Sequence, residues 1–100
     1  MLKEKEFYVR QLTILLSTLN KVVLKEQNLE NRILDIEYII RLVKEIDLVW
    51  YNTMIDNCED IDIAIAINMD NGVDTYDSYI DFRLKAMIED TGKLLSILEG

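Results

Sequence analysis

The side chains best suited to chemistry in this chain are ten carboxylates between residues 45 and 82, a segment that contains no lysine or arginine. The other residues carry eleven basic and nine acidic side chains, so they contribute +2 and the segment contributes -10 to the net charge of -8. A field of one sign raises the local concentration of oppositely charged partners and steers them. We predict that a partner is contacted by eight of these carboxylates: Asp56, Glu59, Asp60, Asp62, Asp70, Asp74, Asp77 and Asp81.

The residue types give little support for nucleophilic catalysis or for metal binding. The chain has no histidine and one cysteine, Cys58, whose acidic neighbours in sequence disfavour a reactive thiolate. The carboxylates around Gly72 suggest a calcium loop, but EF-hand spacing fails, because it would put Ile67 at the first ligand position. An irregular cation site at this turn stays open. We therefore expect no enzyme activity, no catalytic residue, no cofactor and no metal.

The acidic balance also limits the class of partner. Nucleic acid and anionic membranes both require a cationic surface, so neither is expected to bind directly. No uninterrupted apolar run exceeds five residues, so we expect neither a signal peptide nor a membrane span. A single cysteine fits a reducing compartment, and we expect one cytoplasmic domain over residues 1–100.

An apolar heptad stripe runs through the first half of the chain. Counted from Tyr8 in alternate steps of four and three, the positions to Met54 are apolar except Glu26 and Asp47. This spacing is typical of helices that pack with knobs into holes, as in a coiled coil. The stripe's width and the chain's small size predict a homodimer, with oligomerisation through Leu12, Leu15, Leu19, Val22, Leu29, Ile33, Ile36, Ile40, Val43 and Trp50.

Two architectures fit this stripe. Residues 3–56 form either one long amphipathic helix or a helical hairpin that turns at Lys25–Asn28, where Asn28 is able to cap a second helix. The unbroken phase favours the long helix; the polar patch and a change of apolar side favour the hairpin, which we prefer. Asp47 would then be solvated at a helix end, paired, or used to fix register.

The period changes after Asn57. Isoleucines alternate with other residues from Ile61 to Met69, a pattern typical of a strand with one apolar face. Asn71 and Gly72 suit a type I′ turn, so we predict a short β-hairpin over residues 60–76. A helix over residues 78–98 follows, with Ser78 and Asp81 as a capping box; a return strand over 79–85 is the alternative. The predicted fold is mainly α with a minor β part.

These observations support two functions. In the first, the acidic segment covers a basic surface of a protein that handles nucleic acid and inhibits or regulates it, imitating a phosphate backbone. Small phage inhibitors of restriction and CRISPR systems work in this manner, and an antitoxin or immunity protein on a basic toxin would use the same physics. In the second, a structural or adaptor protein uses its heptad helices for oligomerisation or partner docking.

Overall fold

Four helices that alternate in direction pack side by side in this protein. The computed structural model describes residues 2–100, in which the α-helices are α1 (Leu2–Val23), α2 (Leu29–Leu42), α3 (Leu48–Asp70) and α4 (Ser78–Glu99). Both α1 and α3 pack against α2 and α4, so α1 and α3 lie at opposite corners of a bundle 48 × 24 × 18 Å in size. The prediction of a mainly α fold is confirmed.

A polar turn separates α1 from α2. Lys25 adopts a left-handed φ of 62°, and the Glu26 amide donates to the Lys21 carbonyl at 2.8 Å, which closes the end of α1. Asn28 then caps α2 by accepting from the Asn31 amide at 3.3 Å. The turn of the predicted helical hairpin at Lys25–Asn28 is therefore present, and one unbroken helix over residues 3–56 is wrong.

A second break, which the heptad pattern did not reveal, lies between α2 and α3. A single 3-10 turn, Lys44–Ile46, reverses the chain after Val43. Asp47 follows in extended conformation, and its carboxylate accepts from the Trp50 amide at 3.0 Å. The acidic residue in the heptad seam thus lies exposed at a helix end, which was one of the predictions for Asp47, and its capping hydrogen bond is an added finding.

The β-hairpin predicted over residues 60–76 is wrong. Helix α3 continues to Asp70, and the turn after it puts Asn71 at a φ of -87°, whereas a type I′ turn requires positive φ at both central residues. The isoleucines also fit a helix, because Ile61 and Ile65 are one turn apart and bury against neighbouring helices. Two isolated strands bury too little apolar surface to compete with that packing.

The last helix agrees with the prediction in extent but not in its cap. It begins at Ser78 and runs unbroken past Gly92, so a return strand over 79–85 is wrong. Asp77, not Ser78, caps it, since its carboxylate accepts from the Ile80 amide at 2.9 Å.

The heptad residues form the core of the single chain. All ten predicted oligomerisation residues are at most 7% exposed, and they pack with Met54, Ile61, Ile80, Leu84 and Met87. Helices α3 and α4 of the same chain, rather than a second copy, cover the wide apolar stripe. A homodimer would therefore have to use other surfaces.

Candidate functional site

The outer side of α3 carries a continuous exposed stripe. Its members follow one another at intervals of three or four residues, the spacing that keeps side chains on one face of a helix. They are Asp56, Glu59, Ile63, Ile67 and Asp70, and all five are exposed. We call this stripe the acidic face of α3. Its ends are about 21 Å apart along the helix axis, at about 1.5 Å per residue.

The three carboxylates of this face are not engaged by the protein. Among the side chains that the structure describes, those of residues 4–100, no hydrogen bond or ion pair joins Asp56, Glu59 or Asp70 to another group. Exposed, unneutralised charges on one face produce a negative potential that an incoming cation would meet first. These three acids are the predicted partner-binding residues that the fold presents most freely.

Asp60, on one flank of the acidic face, is partly neutralised by α4. Arg83 contacts it at 3.1 Å between Nη2 and Oδ2, and also donates from Nη1 to the Asn57 side-chain oxygen at 3.1 Å. The Arg83 guanidinium lies over the Tyr79 ring, 5.2 Å from its centroid. Arg83 thus joins α3 to α4 and leaves the Asp60 carboxylate with less net charge than the acids of the exposed stripe.

Asp62, on the opposite flank, faces α2 and its Glu37. Burial raises the pKa of Glu37 to about 7, with further contributions from a hydrogen bond to Asp62 and from the charge of Asp62, which Arg41 opposes. At neutral pH Glu37 is therefore partly protonated and is able to donate to the Asp62 carboxylate. This flank takes up a proton in the physiological range.

The last three predicted residues build the turn beyond the C-terminal end of α3. Asp74 accepts from the Tyr76 amide at 3.0 Å, and Asp77 caps α4. Asp81 contacts Lys85 at 2.8 Å and accepts from the Tyr76 hydroxyl at 2.6 Å. Hydrogen bonds from the Ile80 amide lower the pKa of Asp77, and those from Lys85 lower the pKa of Asp81. Each of these carboxylates already has a structural partner.

The charge asymmetry of the sequence becomes an asymmetry in space. Helix α3 contains five carboxylates and no basic residue, whereas α1 contains four basic and two acidic residues. Since α1 and α3 occupy opposite corners, the bundle has a negative side and a weakly positive side. A basic partner would be oriented toward α3 by this arrangement.

Cys58 lies on the buried side of α3 and is unsuited to nucleophilic chemistry. Its side chain is buried, and burial raises the pKa of the thiol to about 12, with smaller contributions from Glu37 and Asp62. The thiol is therefore protonated at neutral pH. Among residues 2–100 no group of three or more histidine, cysteine, aspartate or glutamate side chains is placed to hold a metal ion.

Two residues of the acidic face were missed by the sequence reasoning. Ile63 and Ile67 were assigned to the apolar side of a strand, yet they are 58% and 53% exposed on α3. The spacing of three and four residues from Asp56 to Asp70 is the signal that would have revealed them. Their presence makes this face part apolar and part acidic, which suits protein contact better than contact with small ions.

Two clefts lie at opposite ends of the bundle. One, of about 300 Å³, is polar and separates the turn at Lys25–Asn28 from the turn at Asp74–Tyr76; Lys25 lies over the Tyr76 ring there, and Thr75 donates to Glu30. The other, of about 270 Å³, lies between the start of α3 and the end of α4. Its lining is mostly apolar and includes Trp50, Val49 and Ile97.

Comparison with known proteins gives no family for this chain: no family model, no curated protein and no solved structure matches it. None of the helices in residues 2–100 combines the length and apolarity needed to cross a bilayer. Function must therefore be argued from the surface that the fold presents.

Proposed function

We propose that this chain is a non-enzymatic binding protein whose acidic face of α3 docks on a basic surface of a protein that handles nucleic acid, and thereby inhibits or regulates that protein. The observation that carries the proposal is the combination of three unengaged carboxylates, Asp56, Glu59 and Asp70, on a helix that has no basic residue. A groove that binds phosphates is the kind of surface such a helix complements.

The spacing of the charges fits a phosphate-binding groove. The acidic face spans about 21 Å along the helix axis, close to the rise of about six nucleotides in one strand of a duplex. Asp60 and Asp62 on its flanks bring the number of carboxylates on α3 to five over that length. Because Arg83 already pairs with Asp60, the negative charge along this length stays below that of one nucleic-acid strand, but displacement of bound counterions from the partner's groove still favours association.

The proposal is tested by affinity capture from a bacterial lysate, with elution by rising salt and, separately, by excess duplex DNA. We expect the protein to retain basic nucleic-acid-binding proteins and to release them under both conditions, because the contacts are electrostatic and share the DNA site. The variant Asp56→Asn/Glu59→Gln/Asp70→Asn should lose them. A captured enzyme is then assayed on its nucleic-acid substrate, where the wild-type protein should inhibit.

The matched control is Glu6→Gln/Glu26→Gln/Glu99→Gln, which changes net charge by the same amount at three exposed positions outside residues 45–82. It should retain the captured proteins. Equal loss of captured proteins in both variants would mean that only the net charge of the chain matters. Capture that survives excess DNA would contradict binding at the partner's nucleic-acid site.

A second candidate function is a structural or adaptor role, and the outer side of α2 favours it. Leu34, Tyr38 and Leu42 follow at intervals of four residues and are exposed, so they form an apolar stripe. The predicted homodimer would use this stripe rather than the buried heptad residues. Light scattering tests it: a dimer of the wild-type chain should become a monomer in Leu34→Asp/Tyr38→Asp, and a wild-type monomer at micromolar concentration would contradict the dimer.

A further inference from the structure

The cleft between the first turns of α3 and the last turns of α4 has an apolar interior. Trp50 and Leu94 lie in it at 6% and 7% exposure, whereas Val49 and Ile97 are 78% and 76% exposed. Exposed apolar side chains that surround a concavity, rather than standing singly on a convex surface, are typical of a docking site. The volume of about 270 Å³ is near the lower limit of ligand clefts, so a side chain fits it better than an extended organic molecule.

The charges around this cleft indicate which side chain of a partner would fit it and which residues would flank that side chain. Asp47 and Asp90 line it, and its one basic lining residue, Lys93, is already paired with Glu89 at 3.2 Å. The net charge of the lining groups is therefore negative. An apolar side chain of a partner would fill the interior of the cleft, and a lysine or arginine next to it would complement the carboxylates of the lining.

The cleft is continuous with the acidic face of α3. Val49 and Asn52 precede Asp56 at intervals of three and four residues, so the exposed stripe extends without a break from the cleft to Asp70. The distance from Val49 to Asp70 is about 31 Å along the axis, which equals the length of about 21 residues of a partner helix. One helical segment would thus reach both the cleft and the carboxylates.

We infer that the cleft at Val49, Trp50 and Ile97 receives an apolar side chain of a lysine- or arginine-rich amphipathic helix, whose basic residues lie over the acidic face of α3. This inference rests on the proposed function, since it names the partner segment that engages the same face. It differs in one measurable respect: part of the binding is apolar and persists when salt screens the charges.

Trp50 provides the signal for a test, because it is the chain's sole tryptophan. Its indole N–H is buried without a hydrogen-bond acceptor, so packing alone holds the ring at the cleft. The probe is a synthetic helix of about 20 leucine and lysine residues, ~30 Å long, with its leucines on one face. We expect a saturable change in Trp50 fluorescence, and a weaker one with a peptide of the same composition reordered to remove the apolar face.

The decisive variant is Val49→Ser/Ile97→Ser, at two highly exposed positions that the core does not need. It should bind the probe at least tenfold more weakly at both low and high salt. The matched control, Ile14→Ser/Leu24→Ser, removes two exposed apolar side chains on and next to α1, at the opposite corner of the bundle, and should bind as the wild type does. The Asp56→Asn/Glu59→Gln/Asp70→Asn variant should weaken binding mainly at low salt. Thermal unfolding of each variant confirms that it is folded.

Three results would overturn the inference. If Val49→Ser/Ile97→Ser binds the probe normally while the acid-neutralised variant does not, the cleft is not the anchor site and the proposed function stands. If neither variant differs from the wild type, both proposals fail. If the protein alone forms a dimer that Val49→Ser/Ile97→Ser dissolves, the occupant of the cleft is a second copy of the chain.

Discussion

Asn68, in the last turns of α3, donates from its side-chain amide to the carboxylate of Asp77, the cap of α4, over 3.1 Å. The same amide donates to the Thr75 carbonyl at 3.4 Å, and the other carboxylate oxygen of Asp77 accepts from the Ile80 amide. One buried side chain of α3 thereby fixes both the turn and the start of α4. The position of the acidic face relative to α4 depends on this pair.

Replacing the cap should therefore cost more than an ordinary surface substitution. Asp77→Ala removes the acceptor for the Ile80 amide and leaves the Asn68 amide short of a partner, so we expect a loss of about 1–3 kcal/mol in the free energy of unfolding. Ser78→Ala should change it by less than about 0.5 kcal/mol. Urea unfolding followed by circular dichroism measures both, and a larger loss in Ser78→Ala would restore Ser78 as the cap.

Gly92 offers a stabilising substitution. It lies inside α4 without a positive φ, and a Cβ atom added there meets no atom within 4 Å. Gly92→Ala should raise the free energy of unfolding by about 0.5–1 kcal/mol, because alanine has less backbone freedom to lose on folding. Thermal unfolding would show a higher midpoint, and a lower one would indicate that a neighbouring helix needs the space.

The Cys58 thiol should be unreactive in the folded protein. It is buried, and its pKa is raised to about 12, so the thiolate is scarce at neutral pH. We expect a disulfide reagent of the Ellman type to label the native protein slowly and the urea-unfolded protein at the rate of a free cysteine. Fast labelling of the native protein would show that α2 and α3 separate frequently at this position.

Glu37 should make stability depend on pH. Its pKa is raised from 4.5 to about 7 in the folded state, so the folded protein binds its proton more tightly than the unfolded chain does. The associated stability is fully present below pH 4.5 and is lost as pH rises through about 7. The loss of this contribution should therefore lower the midpoint temperature of thermal unfolding as the pH rises from 5 to 8.

The variant Glu37→Gln tests this assignment, because glutamine donates to Asp62 at every pH. Its unfolding midpoint should vary less than that of the wild type over this range and should exceed it at pH 8. Glu45→Gln, at an exposed position, serves as the control. Identical pH profiles for the wild type and Glu37→Gln would assign the effect to other groups.

The sequence predicted the first turn of this fold, which a local interaction decides. Asn28 caps α2 through its own side chain, and Lys25 and Glu26 lie where a polar patch interrupts the stripe. The turn before α3 was not predicted, although Asp47 caps that helix in the same way. The heptad residues were identified as apolar contacts, but whether they meet a second copy or the same chain depends on helices distant in sequence. The bundle is closed by the packing of α1 against α4, a contact that no local sequence pattern predicts.

The candidate site was predicted in composition but not in geometry. Which carboxylates of the acidic segment are unengaged depends on the rotation of α3, and that rotation is set by the burial of Trp50, Ile61 and Ile65. Because the segment was assigned to a β-hairpin, the position of Asp60 and Asp62 on opposite flanks of a helix was not predicted. Tertiary packing overrode the local preference for a strand.

The isoleucine alternation from Ile61 to Met69 has a consequence for the chain before it folds. In the unfolded state these residues still match the pattern of strands that assemble between molecules. Asp60, Asp62 and Asp70 bracket and interrupt the run, and charges in such positions oppose intermolecular stacking. A helix forms within about a microsecond, so the segment becomes helical before it can assemble with strands of other molecules. The carboxylates that α3 presents to a partner thus also protect the newly made chain from aggregation.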